Sequence, residues 1–482
     1  MNPGGGPFLT RRDLARLLLL SAALPSRLAL GAVPRGRVGI VGGGMAGVAL
    51  GWLLDGARDV VLLEARDTLG GNIRSDPVTL DGTEVVVDVG AQYFHPGPYP
   101  LYTALLRRLG MFDPAAPEAG AAHAFPASIT LYDPEVWAPR FVSPALPGRA
   151  WPLLVPSNRP GVQAFATTFT AAKRREREGG DWETTLQEWL PTLGLTPAQW
   201  EGMILPWAAS LFSGRIEEAR ELSARGVLVF AAKAIPANPL APIQYYVLRH
   251  GMIDVLERLV AECAATRFTT GAAVDAVERF GEQFLIHFGD GGALLVDDLV
   301  LAASGPATLR LLRDLPGTDA QRAALEGIAF YDTRIAIHAG PTYVPLRRIN
   351  RSFLNCRLDG DTCEASMALG DVLTEVPPEV AARVYKSWIT HRGEPPGGVL
   401  REAEFRHMLP TAATIRAQQA LATLQGRDRI WFAGGYLHPF DGQETALRSA
   451  LQVAVGLQTE SRRLAELQRA GTRPEPANRP ED

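Results

Sequence analysis

The stretch from Arg37 to Arg74, RVGIVGGGMAGVALGWLLDGARDVVLLEARDTLGGNIR, constrains the fold more than any other part of this chain. An apolar, β-branched run, Val38 to Val41, enters a glycine turn, Gly42-Gly43-Gly44-Met45-Ala46-Gly47, and a helical run follows to Leu54. A second apolar run, Val60 to Leu63, ends at Glu64. Strand, tight turn, helix, strand and acid in that order predict the βαβ unit of a dinucleotide-binding parallel sheet. Gly42 permits the turn, Gly44 lets the backbone approach a pyrophosphate, and Gly47 lets the helix lie close on the strand. The first-turn N–H groups and the positive end of the helix dipole then face the phosphates. Glu64, twenty residues past Gly44, is placed to accept a hydrogen bond from a ribose hydroxyl and to repel a 2′-phosphate.

The next residues separate a flavin from a nicotinamide reading. Glu64-Ala65-Arg66 and Leu69-Gly70-Gly71-Asn72-Ile73-Arg74 resemble the flavin-binding extension of the amine oxidase, protoporphyrinogen oxidase and phytoene desaturase superfamily. That family carries a paired glycine there, usually followed by a basic residue; Asn72 stands in the basic slot. Asp88-Val89-Gly90-Ala91-Gln92 resembles its next signature, on the strand leading towards the flavin. Far downstream, Arg429 to Tyr436 reads as a strand ending in Gly434-Gly435, and Gln443-Glu444-Thr445-Ala446 opens a helix. This resembles the family's C-terminal flavin motif, in which a helix N-terminus points at the pyrimidine ring.

The resemblance implies non-covalent FAD as cofactor. No cysteine stands directly before the C-terminal motif. The implied contacts are Gly42, Gly43, Gly44, Met45, Ala46, Gly47, Glu64, Ala65, Arg66, Gly71 and Asn72 at one end. Gly434, Glu444, Thr445 and Ala446 serve the other, and the backbone of Val274 meets adenine. Several positions depart from the family pattern. Gly435 replaces a glutamate, Gly442 replaces an aromatic-cage residue, and His250 stands where glycine is common. Thr333-Arg334 occupies the region where amine oxidases often carry a lysine beside flavin N5. No catalytic side chain is nominated; His95, His438, Tyr436 and Phe440 are candidates to line the substrate side.

The expected fold class is α/β with an α+β cap: a Rossmann-like FAD-binding domain, discontinuous in sequence, with an inserted mixed helix and sheet substrate domain. FAD-binding segments are expected at 35–98, 245–308 and 426–462, and the cap at 99–244 and 309–425. Glu375 to Ile389 reads as helix within that cap. Residues 463–482 read as a disordered tail, Pro-rich and charged from Ala470. Residues 1–34 resemble a twin-arginine export leader, with Arg11-Arg12 before a short apolar run, Leu17 to Leu24. A periplasmic destination follows if the leader works, a cytoplasmic one otherwise.

The net charge of −4 argues against a nucleic-acid partner and a polybasic membrane surface. No other stretch is apolar enough to span a bilayer. Cys263, Cys356 and Cys363 lack CxxC spacing, so no metal site is expected; Cys356 and Cys363 are either a pair or two free thiols. The expected activity is oxidoreduction, with hydride passing from a small organic substrate to flavin N5 and reoxidation by dioxygen or another acceptor. The alternatives are a desaturase- or isomerase-like flavoenzyme acting on a lipid or polyene, and a redox-silent flavin-binding protein.

Overall fold

The computed structural model describes residues 8–9, 36–144, 151–236, 243–289 and 291–471. At its centre is a five-stranded parallel sheet. Its strands are β1 (Arg37–Val41), β2 (Asp59–Leu63), β3 (Arg267–Thr269), β4 (Asp298–Leu301) and β5 (Ile430–Phe432). The order is β3-β2-β1-β4-β5, and every neighbouring pair is parallel. Three distant parts of the chain therefore build one sheet. Strands buried on both faces need continuous apolar runs, and Val38, Ile40, Val60, Val61, Leu62, Leu299, Val300 and Leu301 are fully buried. Helix α1 (Met45–Leu54) covers one face and packs with helix α2 (Gln443–Gly456).

A seven-stranded sheet forms the roof of the cap. Its order is Val399–Met408, Phe330–Ala339, Val384–Trp388, Thr362–Ala368, Leu354–Asp359, Ile129–Tyr132 and Phe141–Val142. Helices such as Arg159–Arg177 and Ala224–Ala234 complete the cap. Among the described residues no helix is long and apolar enough to cross a membrane. Cys263, Cys356 and Cys363 are all free thiols, the last two buried on neighbouring strands.

Four expectations are corrected here. Glu375 to Ile389 is not one helix: Pro377 and Pro378 limit a single turn, Pro378–Ala381, and Val384–Trp388 is an inner strand of the roof. The alternating, β-branched and aromatic character of Val384-Tyr385-Lys386-Ser387-Trp388 suits a strand. The cap begins later than residue 99, because Tyr99, Leu101, Tyr102, Leu105 and Leu106 share a core with α1 and α2. The helices Gly305–Leu312, Asp319–Glu326 and Ala412–Ala422 likewise pack on the parallel sheet rather than in the cap. Finally, the tail from residue 463 carries a helix, Arg462–Gly471, with Leu464 and Leu467 buried. Phe8–Leu9, inside the expected leader, pairs with Ala293 and Leu294 at the open edge of a four-stranded antiparallel sheet. The rest of that leader and residues 472–482 lie outside the described residues.

Candidate active site

The glycine turn after β1 is fixed by collisions that only glycine avoids. A Cβ on Gly47 would sit 1.9 Å from the Gly42 carbonyl oxygen, so α1 meets the end of β1 in direct backbone contact. Gly42 has φ +118, and a Cβ there would strike the backbone of Ala302 at 2.6 Å. Gly44 is the N-cap of α1 and offers no side-chain cap. A Cβ on it would touch nothing nearer than Gly71 Cα at 3.5 Å, so the space before the helix is open and a side chain would fill it. That open cradle fits a pyrophosphate, whose charge the unpaired N–H groups of Met45, Ala46 and Gly47 would meet.

Glu64 is buried at the tip of β2. Its carboxylate accepts from Gly43 N–H at 2.6 Å and Arg66 N–H at 3.0 Å. It thereby locks the turn, and each oxygen keeps acceptor capacity for a ribose hydroxyl. The Glu64 carbonyl accepts from Ala272 N–H, which brings the strand beginning at Val274 alongside. Ala65 and Asn72 are exposed, and the Arg66 guanidinium reaches back to the Gly71 carbonyl at 3.0 Å. Gly70 donates to the Gly43 carbonyl at 2.9 Å, so the paired-glycine loop rests on the first turn.

The second half-site follows β5. Gly434 N–H donates to Ser449 Oγ at 2.8 Å, tying the strand end to α2. Helix α2 also has a glycine N-cap, Gly442, and no side-chain cap. Two helix N-termini without a side-chain cap thus stand on packed helices, each following a strand of one parallel sheet; the unpaired N–H groups of such ends favour anionic groups. Thr445 Oγ1 donates to the Gly442 carbonyl at 2.9 Å, and Ala446 N–H to the same carbonyl at 3.0 Å. The Glu444 side chain turns elsewhere. Its buried carboxylate accepts from Tyr102 N–H at 2.8 Å and pairs with Arg448 at 2.6 Å. It closes the N-terminus of helix Pro100–Arg108 and leaves only its backbone facing the second half-site; burial raises its pKa.

At Gly435 and Gly442, neighbouring side chains take up the space. A Cβ on Gly435 would meet Asp441 Oδ1 at 2.2 Å. A Cβ on Gly442 would meet the Tyr99 hydroxyl at 2.4 Å. Tyr99 leads into a group of rings. It meets Phe230 edge-on at 5.5 Å, and Phe230 meets Tyr245 at 5.4 Å and Phe440 at 6.1 Å. Tyr93 stacks on Tyr245 at 4.9 Å. His95 packs against Tyr245, and burial pushes its pKa down to about 4, so it is neutral at pH 7. Burial likewise holds His438 neutral, with its pKa lowered to about 4. Tyr436 points into the core beside Phe330 rather than into this group.

Reading from sequence missed Lys386. Neither Thr333 nor Arg334 supplies a cation to the interior: Thr333 is buried, and the Arg334 side chain is half-exposed and pairs with Glu402 at 3.2 Å. Lys386, two strands in from the roof's edge, is instead fully buried. Its ammonium donates to the carbonyls of Asp88, at 3.0 Å, and Gly90. Recognising the strand alternation around it was the available signal. Tyr99, Phe230, Tyr245 and Asp441 were missed as well, because their meeting depends on tertiary contacts.

Residues 40–109 match the family model for an NAD(P)-binding Rossmann-like domain. No curated protein matches the chain. Solved structures match over nearly its whole length. A fatty acid isomerase from P. acnes that produces CLA aligns with TM-score 0.61 and 14% identity, covering 87% of this chain and 98% of its own. Putrescine oxidase with putrescine bound aligns with TM-score 0.60 and 15% identity, covering 88% and 99%. A putative protoporphyrinogen oxidase from Exiguobacterium sp. 255-15 aligns with TM-score 0.56 and 16% identity, covering 89% and 100%. The chain shares the fold of these structures. Within that fold, the five-stranded sheet and its two glycine-capped helices make one half, and the seven-stranded sheet makes the roof of the other.

Proposed function

We propose that this protein is an FAD-dependent oxidoreductase of the amine-oxidase type, oxidising a small organic substrate. The observation that carries the reading is the pair of uncapped, glycine-capped helix N-termini, at Gly44 and Gly442, on two helices packed together. Bound FAD would supply the hydride-accepting N5, and dioxygen or another acceptor would reoxidise it. The protein's own part is binding, orientation and exclusion of water. Met45 to Gly47 would hold the pyrophosphate, Glu64 the adenosine ribose, and Ala65 and Val274 the adenine edge. Gly71, Asn72, Gly434 and the first turn of α2 would hold the flavin end. The positive end of α2 favours negative charge on the flavin's pyrimidine ring, and so favours reduction. The rings of Tyr93, Tyr99, Phe230, Tyr245 and Phe440 would form a dry wall.

A second reading, a desaturase- or isomerase-like enzyme on an apolar unsaturated chain, gains support from that wall. Its rings and the neutral His95 offer an uncharged, largely apolar surface that an unsaturated chain can fill. One experiment separates the readings. The purified protein's visible spectrum is recorded, and the chromophore is then titrated anaerobically with primary amines and with unsaturated fatty acids before air is admitted. A colourless protein that takes up no added FAD overturns the flavoenzyme reading. Bleaching by an amine with oxygen uptake supports the first activity. Conversion of a fatty acid without net oxygen uptake supports the second. A bound flavin silent towards every donor supports a structural cofactor.

A further inference from the structure

We propose that Lys386 is a positioning residue for the cofactor: from the roof sheet it holds the Asp88–Gly90 backbone, and through it the paired-glycine loop, in the shape that receives the flavin end of FAD. The proposal rests on the FAD reading above and adds a residue outside both half-sites to it.

The case is geometric. Lys386 lies on strand Val384–Trp388, opposite Ile337 on one side and Met367 on the other. Both neighbours are fully buried aliphatic side chains. An ammonium in such a place is costly unless its donors are used, and two of its three meet the carbonyls of Asp88 and Gly90. The held segment runs directly into the cofactor loop. Val89 N–H donates to the Arg74 carbonyl at 2.8 Å, and Ala91 N–H to the Asn72 carbonyl at 2.9 Å. Gly90 is pressed so closely that a Cβ would stand 2.0 Å from the Asn72 carbonyl oxygen and 3.2 Å from the Phe405 ring of the roof. Gly70 in turn donates to Gly43, and Gly71 abuts Gly44. An unbroken line of direct contacts thus joins the cap to the N-cap of α1, and Lys386 is the charged group in it.

Asp88 completes the arrangement. Its carboxylate accepts from Ser75 Oγ and from Met252 N–H at 2.9 Å, beside the start of helix Ile253–Ala261. It is the one charge acting on Lys386, and the indole of Trp388 lies 5.8 Å from the ammonium. Burial pushes the Lys386 pKa down to about 7 and the Asp88 pKa up to about 6. Loss of the lysine's charge as pH rises weakens its charge-assisted bonds to the two carbonyls.

The test measures retention of FAD itself. Wild type, K386M and K386R are loaded with FAD, and its release is followed by flavin fluorescence from pH 6 to 9, with apo-protein melting measured in parallel. The proposal expects K386M to release FAD at least tenfold faster at pH 6 than wild type, with an altered visible spectrum of the bound flavin. It expects wild-type release to quicken as pH rises from 6 to 9. Arginine stays charged throughout, so K386R is expected to show a flatter profile. If wild type binds no FAD, the parent reading fails. If wild type binds FAD and K386M matches it in release and spectrum, the positioning role is overturned. If K386M will not fold, the comparison of K386R with wild type decides: identical pH profiles overturn the proposal.

Discussion

The two ends of the proposed cofactor site are built in different ways. The adenosine and pyrophosphate end is nearly contiguous: Gly42 to Arg66 supplies the turn and the acid, and Val274 is a distant addition. The flavin end is assembled. Asp88–Gly90, Tyr99, Lys386 and the segment Gly434 to Ala446 come together from four separated parts of the chain. A contiguous site is fixed by backbone geometry, and little in it can be exchanged. An assembled site tolerates loss at one position if another segment fills the space. Tyr99 at Gly442 is such a case.

The comparison can be broken most sharply at Gly47. G47V forces a side chain into the Gly42 carbonyl, a collision beyond the roughly 1–3 kcal/mol of ordinary overpacking. The expected outcome is loss of FAD binding together with a lowered Tm; a folded, yellow G47V protein would contradict the rigid-turn account. Glu64 comes next. E64A removes the acceptor of two backbone N–H groups, each such charged bond being worth about 1.5–3 kcal/mol. FAD affinity measured by fluorescence quenching should fall roughly tenfold to a hundredfold on that scale.

At the assembled end the effects should be smaller and coupled. G442A should cost stability because its methyl meets the Tyr99 hydroxyl. In a Y99L background the same change should cost about 1 kcal/mol less, in the range typical of coupled neighbours. Strict additivity in the four melting curves would show that Tyr99 does not fill the place beside Gly442.

The last effect concerns acid. His95, His338 and His438 all have pKa values lowered to about 4 by burial, from the ordinary 6.5. The unfolded chain therefore binds more protons than the folded one between these values, and stability falls as pH drops from 6.5 towards 4. None of the three lies in Gly42 to Asn72. Limited proteolysis at pH 5 should accordingly open the cap and flavin end before the βαβ unit. The reverse order would remove the distinction between the two ends.

The same distinction explains what could be read from sequence. The turn from Gly42 to Gly47 announces itself because each glycine answers a local steric demand, and the acid at Glu64 follows at a fixed spacing. The strand at Val384–Trp388 was hidden for a physical reason. A buried lysine breaks the apolar alternation that marks an inner strand, and the residues before it, Glu375 to Ala382, are compatible with a helical turn. Tyr99 could not be foreseen beside Gly442, more than three hundred residues away, since no local rule pairs them. The domain limits failed similarly: Leu101, Leu105 and Leu106 give a helix face by periodicity, and only packing shows that this face meets α1 and α2.

The strand order has a consequence for how the protein is made. β5 and α2 lie close to the C-terminus, yet they border β4 and α1. While the chain is being synthesised, the first glycine turn must wait for nearly four hundred residues before its partner helix exists. Contacts of such long sequence separation form late in folding, so both helix ends are present together only once the chain has been made as far as α2. Until then the uncovered apolar face of α1 is exposed to misassociation. Added flavin should therefore raise the yield of refolding more when supplied at the start than when supplied after the chain has collapsed.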